Sequence, residues 1–313
     1  MVLEPALRND LVELIGANFK TEEVNELGRL VLGSFDSNEA AGSKNHVSIS
    51  SRKSARALVD RCDQEAHVLA LLKLVVEVDD ATVNGKTVHV KGMEPFLGKL
   101  LRAGIHYDFK TRRIVTSCEE PDELPNWGCL KDGREYDTAI VSLDIVDNST
   151  LVREYGLRRM EKLYFHLWSF LREKLGSTDG RIWSWAGDGG ILAFALKENA
   201  RRAVQFALEV QTSMPVFNVT TDTPADLSVR LGIDTGKVKF NPDTGKIVSD
   251  VINYAAHLEK RAAGAGGVAI SRPVYESLSE RMADVFKFQG MFESKDYFVS
   301  RRRLDGALLE EAG

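Results

Sequence analysis

One stretch constrains this chain more than any other: Tyr136–Leu151, YDTAIVSLDIVDNSTL. Ile140, Val141, Leu143 and Ile145 supply the aliphatic bulk of a strand over Asp137–Ile145, and Asp144 interrupts them. An unpaired carboxylate is costly to bury among apolar groups. It needs a cation, a hydrogen-bond network or an exposed strand end. Asp147 follows, then Asn148, Ser149 and Thr150, which suit a turn and a helix N-cap. Two roles stay open here. Asp144 either only caps the next helix, or holds a divalent cation where a helix N-terminus receives phosphate.

A second stretch, Arg181–Leu196, reads RIWSWAGDGGILAFAL. Two short apolar runs flank Gly187-Asp188-Gly189-Gly190, the pattern of a hairpin with an acid in its turn. An ordinary Asp-Gly turn looks the same. Placed beside the first strand, however, Asp188 would stand next to Asp144, 44 positions earlier. Two carboxylates so placed can share two metal ions. The third stretch, Val229–Lys260, reads VRLGIDTGKVKF, then NPDTGK, then IVSDVINYAAHLEK. A strand is expected to end at Gly232–Gly236, with a short strand Lys237–Phe240 after it and a helix from near Ser249. Asn253, His257 and Lys260 or Arg261 share one face of that helix. Val251, Tyr254, Ala255 and Leu258 form its buried side.

These stretches, in this order, resemble the catalytic domain of class III nucleotidyl cyclases over roughly Tyr136–Val299. LDIVDNSTL resembles the first metal motif, SWAGDGGILAF the second metal hairpin, VRLGIDTGKV the Gly-rich strand and VSDVINYAAHLE the transition-state helix. The resemblance implies an α+β fold, the class III cyclase sandwich. Its core is a ferredoxin-like βαββαβ unit with helices on an antiparallel sheet. It implies that Asp144, the Ile145 carbonyl and Asp188 hold two divalent ions, Mn²⁺ or Mg²⁺. The backbone at Asp147, Asn148 and Ser149 would receive the β- and γ-phosphates, and Asn253 would orient the ribose. His257 stands where the family has an arginine; it or Lys260 or Arg261 would supply that charge. Lys287 or Lys295 is a further candidate for phosphate. The family implies a homodimer with shared active sites. The metal acids come from one protomer, and Ser184, Lys246, Asn253 and His257 from its partner.

The base-reading pair departs from the family. Ser184, between Trp183 and Trp185, replaces the adenylyl lysine, and Lys246 replaces an Asp or Thr. The guanylyl pair, Glu with Cys or Ser, is not matched either. With NWGCLKDGREYDTAIVSLDIVDNSTL, this combination resembles the bacterial pyrimidine cyclases of the anti-phage Pycsar systems. That resemblance implies UTP or CTP as substrate and cyclic UMP or cyclic CMP as product. The product would be a second messenger for a cyclic-nucleotide-sensing effector. A lysine donor suits a uracil carbonyl better than the cytosine amino group, so UTP is preferred. Trp185 would help to narrow the base pocket. The rival readings are a purine (ATP or GTP) cyclase with an unusual pocket, and a catalytically dead cyclase fold that binds nucleotide or regulates.

A length of 313 residues leaves room for two domains. The net charge of −5 argues against a nucleic-acid surface. Cys62, Cys118 and Cys129 lack metal-ligand spacing, and an odd, low count fits a reducing cytosol. No charged-then-apolar signal opens the chain, and the most apolar window, Val68–Val78, is short and broken by Lys73. The expectation is a cytoplasmic protein without a membrane span. Residues 1–110 read as a mostly helical regulatory or adaptor-like domain, similar to the death-like helical adaptors of bacterial signalling proteins. Its helices are expected over 5–17, from Thr21, over 50–62, 64–76 and 94–103. A loop is expected over 33–45, and a strand-like Val88-His89-Val90 after an Asn84-Gly85 turn. Residues 111–134 read as a linker with Trp127 and Cys129 as apolar anchors, 135–303 as the cyclase domain and 304–313 as a mobile tail. Within the cyclase domain, helices are expected over Gly156–Leu175, Glu198–Met214 and Arg272–Leu278. Short strands are expected over Val268–Ile270, Val285–Phe288 and Asp296–Arg301.

Overall fold

A computed structural model describes residues 3–42, 49–83, 86–116, 124–221 and 225–301. The chain divides into two compact units, residues 1–130 and 131–313. The division falls inside the stretch expected as a linker. The Asn84-Gly85 turn, Cys118 and the expected tail lie outside the described residues.

The first unit holds six helices among its described residues: α1 (Pro5–Asn18), α2 (Thr21–Leu32), α3 (Ser37–Ala40), α4 (Ser51–Gln64), α5 (Val68–Val78) and α6 (Met93–Arg102). Short strands β1 (Thr82–Val83) and β2 (Lys86–Thr87) pair, as do β3 (His106–Asp108) and β4 (Arg113–Val115). Helix α4 packs on α1, α2 and α3 and buries Ala55, Leu58, Val59 and Cys62 completely. Burial pushes the Cys62 thiol up to about 12, so it acts as a small apolar side chain. Residues 33–45 are not all loop: the Asp36 carboxylate accepts from the Asn38 and Glu39 amides and starts α3. Val88–Val90 forms no strand, because the Asp79 carboxylate takes the Val90 amide at 2.9 Å. Helix α4 runs on to Gln64, and Ala66, at φ +60°, turns the chain before α5.

The second unit is built on one seven-stranded sheet. Its strands are β5 (Glu135–Ile145), β6 (Arg181–Ala186), β7 (Gly189–Phe194), β8 (Val229–Lys239), β9 (Val268–Ser271), β10 (Phe286–Phe292) and β11 (Lys295–Ser300). Its helices are α7 (Asn148–Tyr155), α8 (Leu157–Thr178), α9 (Asn199–Thr220), α10 (Asp250–Arg261), α11 (Arg272–Glu276) and α12 (Glu280–Ala283). The spatial order is β10-β11-β9-β8-β5-β7-β6, antiparallel except where β8 meets β9. The run β5, α7–α8, β6, β7, α9, β8 is a βαββαβ unit whose strands lie fourth-first-third-second. The fold is therefore α+β, with helices laid on a largely antiparallel sheet.

Alternation along β5 sorts its residues between two faces. Ala139, Val141, Leu143 and Ile145 join Leu163, Leu167 and Leu171 of α8 and Val204, Ala207 and Val210 of α9 in the main core. The opposite face, which carries Asp144, is the one that α10 approaches. Gly232 permits that approach: a Cβ there would lie 2.2 Å from the Ala255 carbonyl oxygen and from the Glu259 amide.

Several expected elements differ from the structure: the strand expected over Val285–Phe288 runs Phe286–Phe292, because it pairs with β11 as far as Phe292↔Lys295, and α8 runs on to Thr178. Strand β8 is continuous over Val229–Lys239, not two pieces, because β5 pairs with it over its whole length from Glu135↔Lys239 to Ile145↔Val229. Helix α9 runs six residues past Met214 and through Pro215, held by buried Phe217 and by two 2.9 Å bonds between Asn218 and the Leu227 backbone. No helix among the described residues is long and apolar enough to cross a membrane.

Candidate functional site

Asp144 and Asp188 meet through the backbone ladder. In the β5–β7 register Asp144 faces Gly189, and the Asp188 carbonyl accepts the Ile145 amide at 3.3 Å. Gly187, at φ +61°, makes the turn, and its carbonyl accepts the Trp185 indole N–H at 3.1 Å. A Cβ at Gly189 would fall 2.4 Å from the Leu143 carbonyl and 3.2 Å from Asp144 Oδ1. Glycine there keeps the space beside the carboxylate open. The Tyr164 hydroxyl donates to Asn148 Oδ1 at 2.6 Å. Burial pushes that phenol up, and the Asp188 charge adds to the rise, which puts Tyr164 within electrostatic reach of the turn.

The chain then enters α7 through Asp147, in the left-handed region at φ +54°. Its carbonyl accepts the Thr150 amide at 2.8 Å and the Leu151 amide at 3.2 Å, while its side chain makes no cap. Asn148 and Ser149 are the first two residues of the helix. The first amides of any helix lack intrahelical acceptors, so this end favours anions.

Two residues here were not singled out in the sequence. Arg230 faces Asp144 in the β5–β8 register and donates to its Oδ2 at 2.7 Å, and to Glu259 Oε1 of α10 at 2.5 Å. Burial opposes the Arg230 charge, but bonds to Asp144 and Glu259 outweigh it and hold the guanidinium pKa up. Glu259, 7% exposed, has its carboxyl pushed up by burial and by Asp144, against the pull of Arg230. Nothing local in VRLGID or HLEK announces this triad, since it exists only through strand pairing.

The donors near the strand end suit a hard divalent cation: two carboxylates and the main-chain carbonyl of Ile145. Asp144 would have to share its carboxylate with, or be released by, Arg230. The residues fit such an ion with substrate phosphates completing its shell. Among the described residues, one group of three side chains could hold a metal by itself. It is Asp79, Asp80 and His89, with donor atoms within 4.8 Å of one another, in the first unit.

Ser184 and Lys246 are brought near each other by one bond. The Thr244 hydroxyl donates to the Trp183 carbonyl at 2.5 Å, drawing the 3₁₀ turn Thr244–Lys246 to β6. Trp183, 4% exposed, packs on Phe240 with ring centroids 6.0 Å apart. Trp185 goes elsewhere: it packs against the main core and over Gly190, whose added Cβ would touch its ring at 2.5 Å. Lys246 is exposed, bonded to Asp243 at 2.7 Å, and that bond pushes its ammonium pKa up.

On α10 the Ser249 hydroxyl caps the first turn by accepting the Ile252 amide at 3.2 Å. Asn253, His257, Lys260 and Arg261 are exposed, while Val251, Tyr254, Ala255 and Leu258 are buried. His257 Nδ1 lies 2.7 Å from Glu293 Oε1, in the turn between β10 and β11. On the same hairpin the Lys295 ammonium sits 4.4 Å from the centre of the Tyr254 ring. The Tyr254 hydroxyl donates to the Phe292 carbonyl at 3.2 Å. Burial, reinforced by Asp234 and Glu293, pushes that hydroxyl up to about 12. Lys287 is exposed on β10, opposite Val299 of β11.

No family model matches the sequence, and no curated protein matches it. Solved structures do. The monomeric guanylyl cyclase domain of the RhoGC fusion protein from the aquatic fungus Blastocladiella emersonii is 20% identical, with 54% of this chain and 98% of that one covered and a TM-score of 0.46. An adenylate/guanylate cyclase/hydrolase from Silicibacter pomeroyi is 24% identical, covering 53% and 97%, with a TM-score of 0.45. The adenylyl cyclase CyaB from P. aeruginosa is 21% identical, covering 54% and 97%, also with a TM-score of 0.45. This chain is similar to these domains over about half of its length.

Proposed function

We propose that the chain is a nucleotide cyclase that converts UTP, or less readily CTP, to the 3′,5′-cyclic monophosphate and pyrophosphate. One observation carries the reading: two carboxylates at neighbouring strand ends, beside the N-terminus of α7. In the reaction the ribose 3′-oxygen bonds to the α-phosphorus, the bond from that phosphorus to the oxygen bridging to the β-phosphate breaks with pyrophosphate leaving, and the hydroxyl proton passes to solvent water. Asp144, Asp188 and the Ile145 carbonyl would hold divalent ions, which would supply charge for the hydroxyl and the leaving phosphates. The amides of Asn148 and Ser149 bind the β- and γ-phosphates. Asn253 orients the ribose, and His257 holds charge on the α-phosphate.

Ser184 and Lys246 read the base. A lysine ammonium donates and cannot accept, which matches the carbonyls of uracil. As the class III resemblance implies, a second copy of the chain supplies Asn253 and His257, both exposed on α10, to the metal acids in a homodimer with two shared sites. The product serves as a second messenger for a cyclic-nucleotide-sensing effector in anti-phage defence, with the helical first unit as the regulatory module. The test is purified protein with Mn²⁺ and each of the four nucleoside triphosphates, resolved by chromatography. Cyclic UMP is the expected product. A purine product would make the chain a purine cyclase with an unusual pocket. No product at all would leave a nucleotide-binding module, the reading favoured by the Asp144–Arg230 pair.

A further inference from the structure

The position that resembles the family arginine holds a histidine, and the structure gives that histidine a partner. Glu293 Oε1 lies 2.7 Å from His257 Nδ1. The two nitrogens of an imidazole are distinct, and the bond made by one decides what the other can do. With Nδ1 donating to Glu293, Nε2 is left on the far side of the ring. The ring is half exposed, so without that bond it would turn freely about its side-chain torsions.

The backbone that carries the carboxylate is itself held in place. Glu293 and Ser294 both take left-handed backbone angles, φ +51° and +63°, in a two-residue turn between β10 and β11. The hairpin is tied to α10 independently: the Tyr254 hydroxyl donates to the Phe292 carbonyl, and Lys295 lies over the Tyr254 ring. Tyr254 is one turn before His257 on the helix. The turn and the helix therefore form one body, and Glu293 reaches His257 from a fixed backbone. The other charged groups of these elements are Asp250, Glu259, Lys260 and Arg261 on α10, Lys287 on β10, and Lys295 and Asp296 on β11, the last bonded to Arg272.

We propose that Glu293 is a positioning residue for His257. It fixes the ring with Nδ1–H bound inward and, in the doubly protonated imidazolium, Nε2–H presented to the α-phosphate of a nucleoside triphosphate. The role rests on the cyclase reading above. It gives a histidine what an arginine has by construction, a donor held in one direction. Outer partners that orient a functional imidazole commonly matter about 10–100-fold when lost.

The experiment uses the full chain in three forms: wild type, Glu293→Asn and Glu293→Gln. Asn tolerates left-handed backbone, so it removes the reach to His257 without straining the turn. Gln keeps an oxygen acceptor at the same distance. Two readouts are taken: the ¹⁵N signals of the His257 ring, assigned with His257→Ala, and kcat and KM with the preferred triphosphate. In Glu293→Asn the Nδ1–H signal should lose its hydrogen-bonded shift, and kcat should fall about tenfold or more with KM within about twofold. Glu293→Gln should restore the signal and most of kcat. An unchanged ring signal and kcat in Glu293→Asn would overturn the role, as would a Gln variant as impaired as Asn, since that would make the charge and not the orientation the essential part. If the wild type cyclises nothing, the cyclase reading fails, and the ring signal alone still decides whether Glu293 orients the histidine.

Discussion

The two halves of the candidate site are built by different physics. The carboxylate half is set by main-chain pairing: Asp144 faces Gly189 and Arg230 in two ladders, and the Asp188 carbonyl takes the Ile145 amide. The α10 half is set by side chains. His257 depends on Glu293, Lys246 on Asp243, and the turn before Lys246 on one Thr244 hydroxyl. A ladder at the centre of a sheet fixes positions cooperatively. Exposed side-chain pairs are each worth about 1 kcal/mol or less and rearrange readily. The first half is therefore expected to tolerate nothing, and the second to tune rate and base choice.

The largest expected effect tests the rigid half. Asp144→Ala and Asp188→Ala should each lower turnover by roughly a thousandfold or more while thermal unfolding stays cooperative. Near wild-type rates in either variant would remove these residues from the metal site. Next comes the seam between the halves. Gly232→Ala pushes a methyl into the Ala255 carbonyl and the Glu259 amide of α10. Urea unfolding should show a loss of about 1–3 kcal/mol, the usual cost of overpacking, and cyclase activity should fall with it. A smaller effect is expected from Lys246→Ala, an exposed donor. The ratio of kcat/KM for UTP to that for CTP should shift about tenfold, the scale of one lost hydrogen bond to a charged donor. An unchanged ratio would place base reading elsewhere.

The smallest effect concerns Asp234, buried on the α10 side of β8 at 5% exposure. Burial pushes its carboxyl pKa up. The folded state then binds this proton more tightly than the unfolded chain does. The stability it contributes is full below the unfolded pKa and is lost as pH rises through the folded one. Asp234→Asn should therefore melt a few degrees above wild type at pH 7 and level with it near the acid end of a Tm-against-pH series. Parallel curves would show that the carboxyl is not the source.

Much of the second unit was legible in the sequence. The apolar runs gave β5, the β6–β7 hairpin and the buried side of α10, because alternation and helical spacing are local properties. The limits of elements were less so. Two glycines made β8 look broken, yet eleven residues of β5 pair along it without interruption. Pro215 sits inside α9, where Phe217 and Asn218 hold the extra turns in place. The short α3 went unseen because its one signal is the Asp36 cap.

The sequence by itself determined which residues are candidates for chemistry: an acid near the end of a strand, an acid in a Gly-rich turn, and an Asn and a His one helical turn apart. Only the tertiary structure decided who their partners are. Arg230 reaches Asp144 across 86 positions, and Glu293 reaches His257 across 36. The side of the sheet that Trp185 occupies was settled the same way, by packing against the main core. Periodicity is written in neighbouring residues, whereas a salt bridge between distant segments exists only once strands pair and a helix docks.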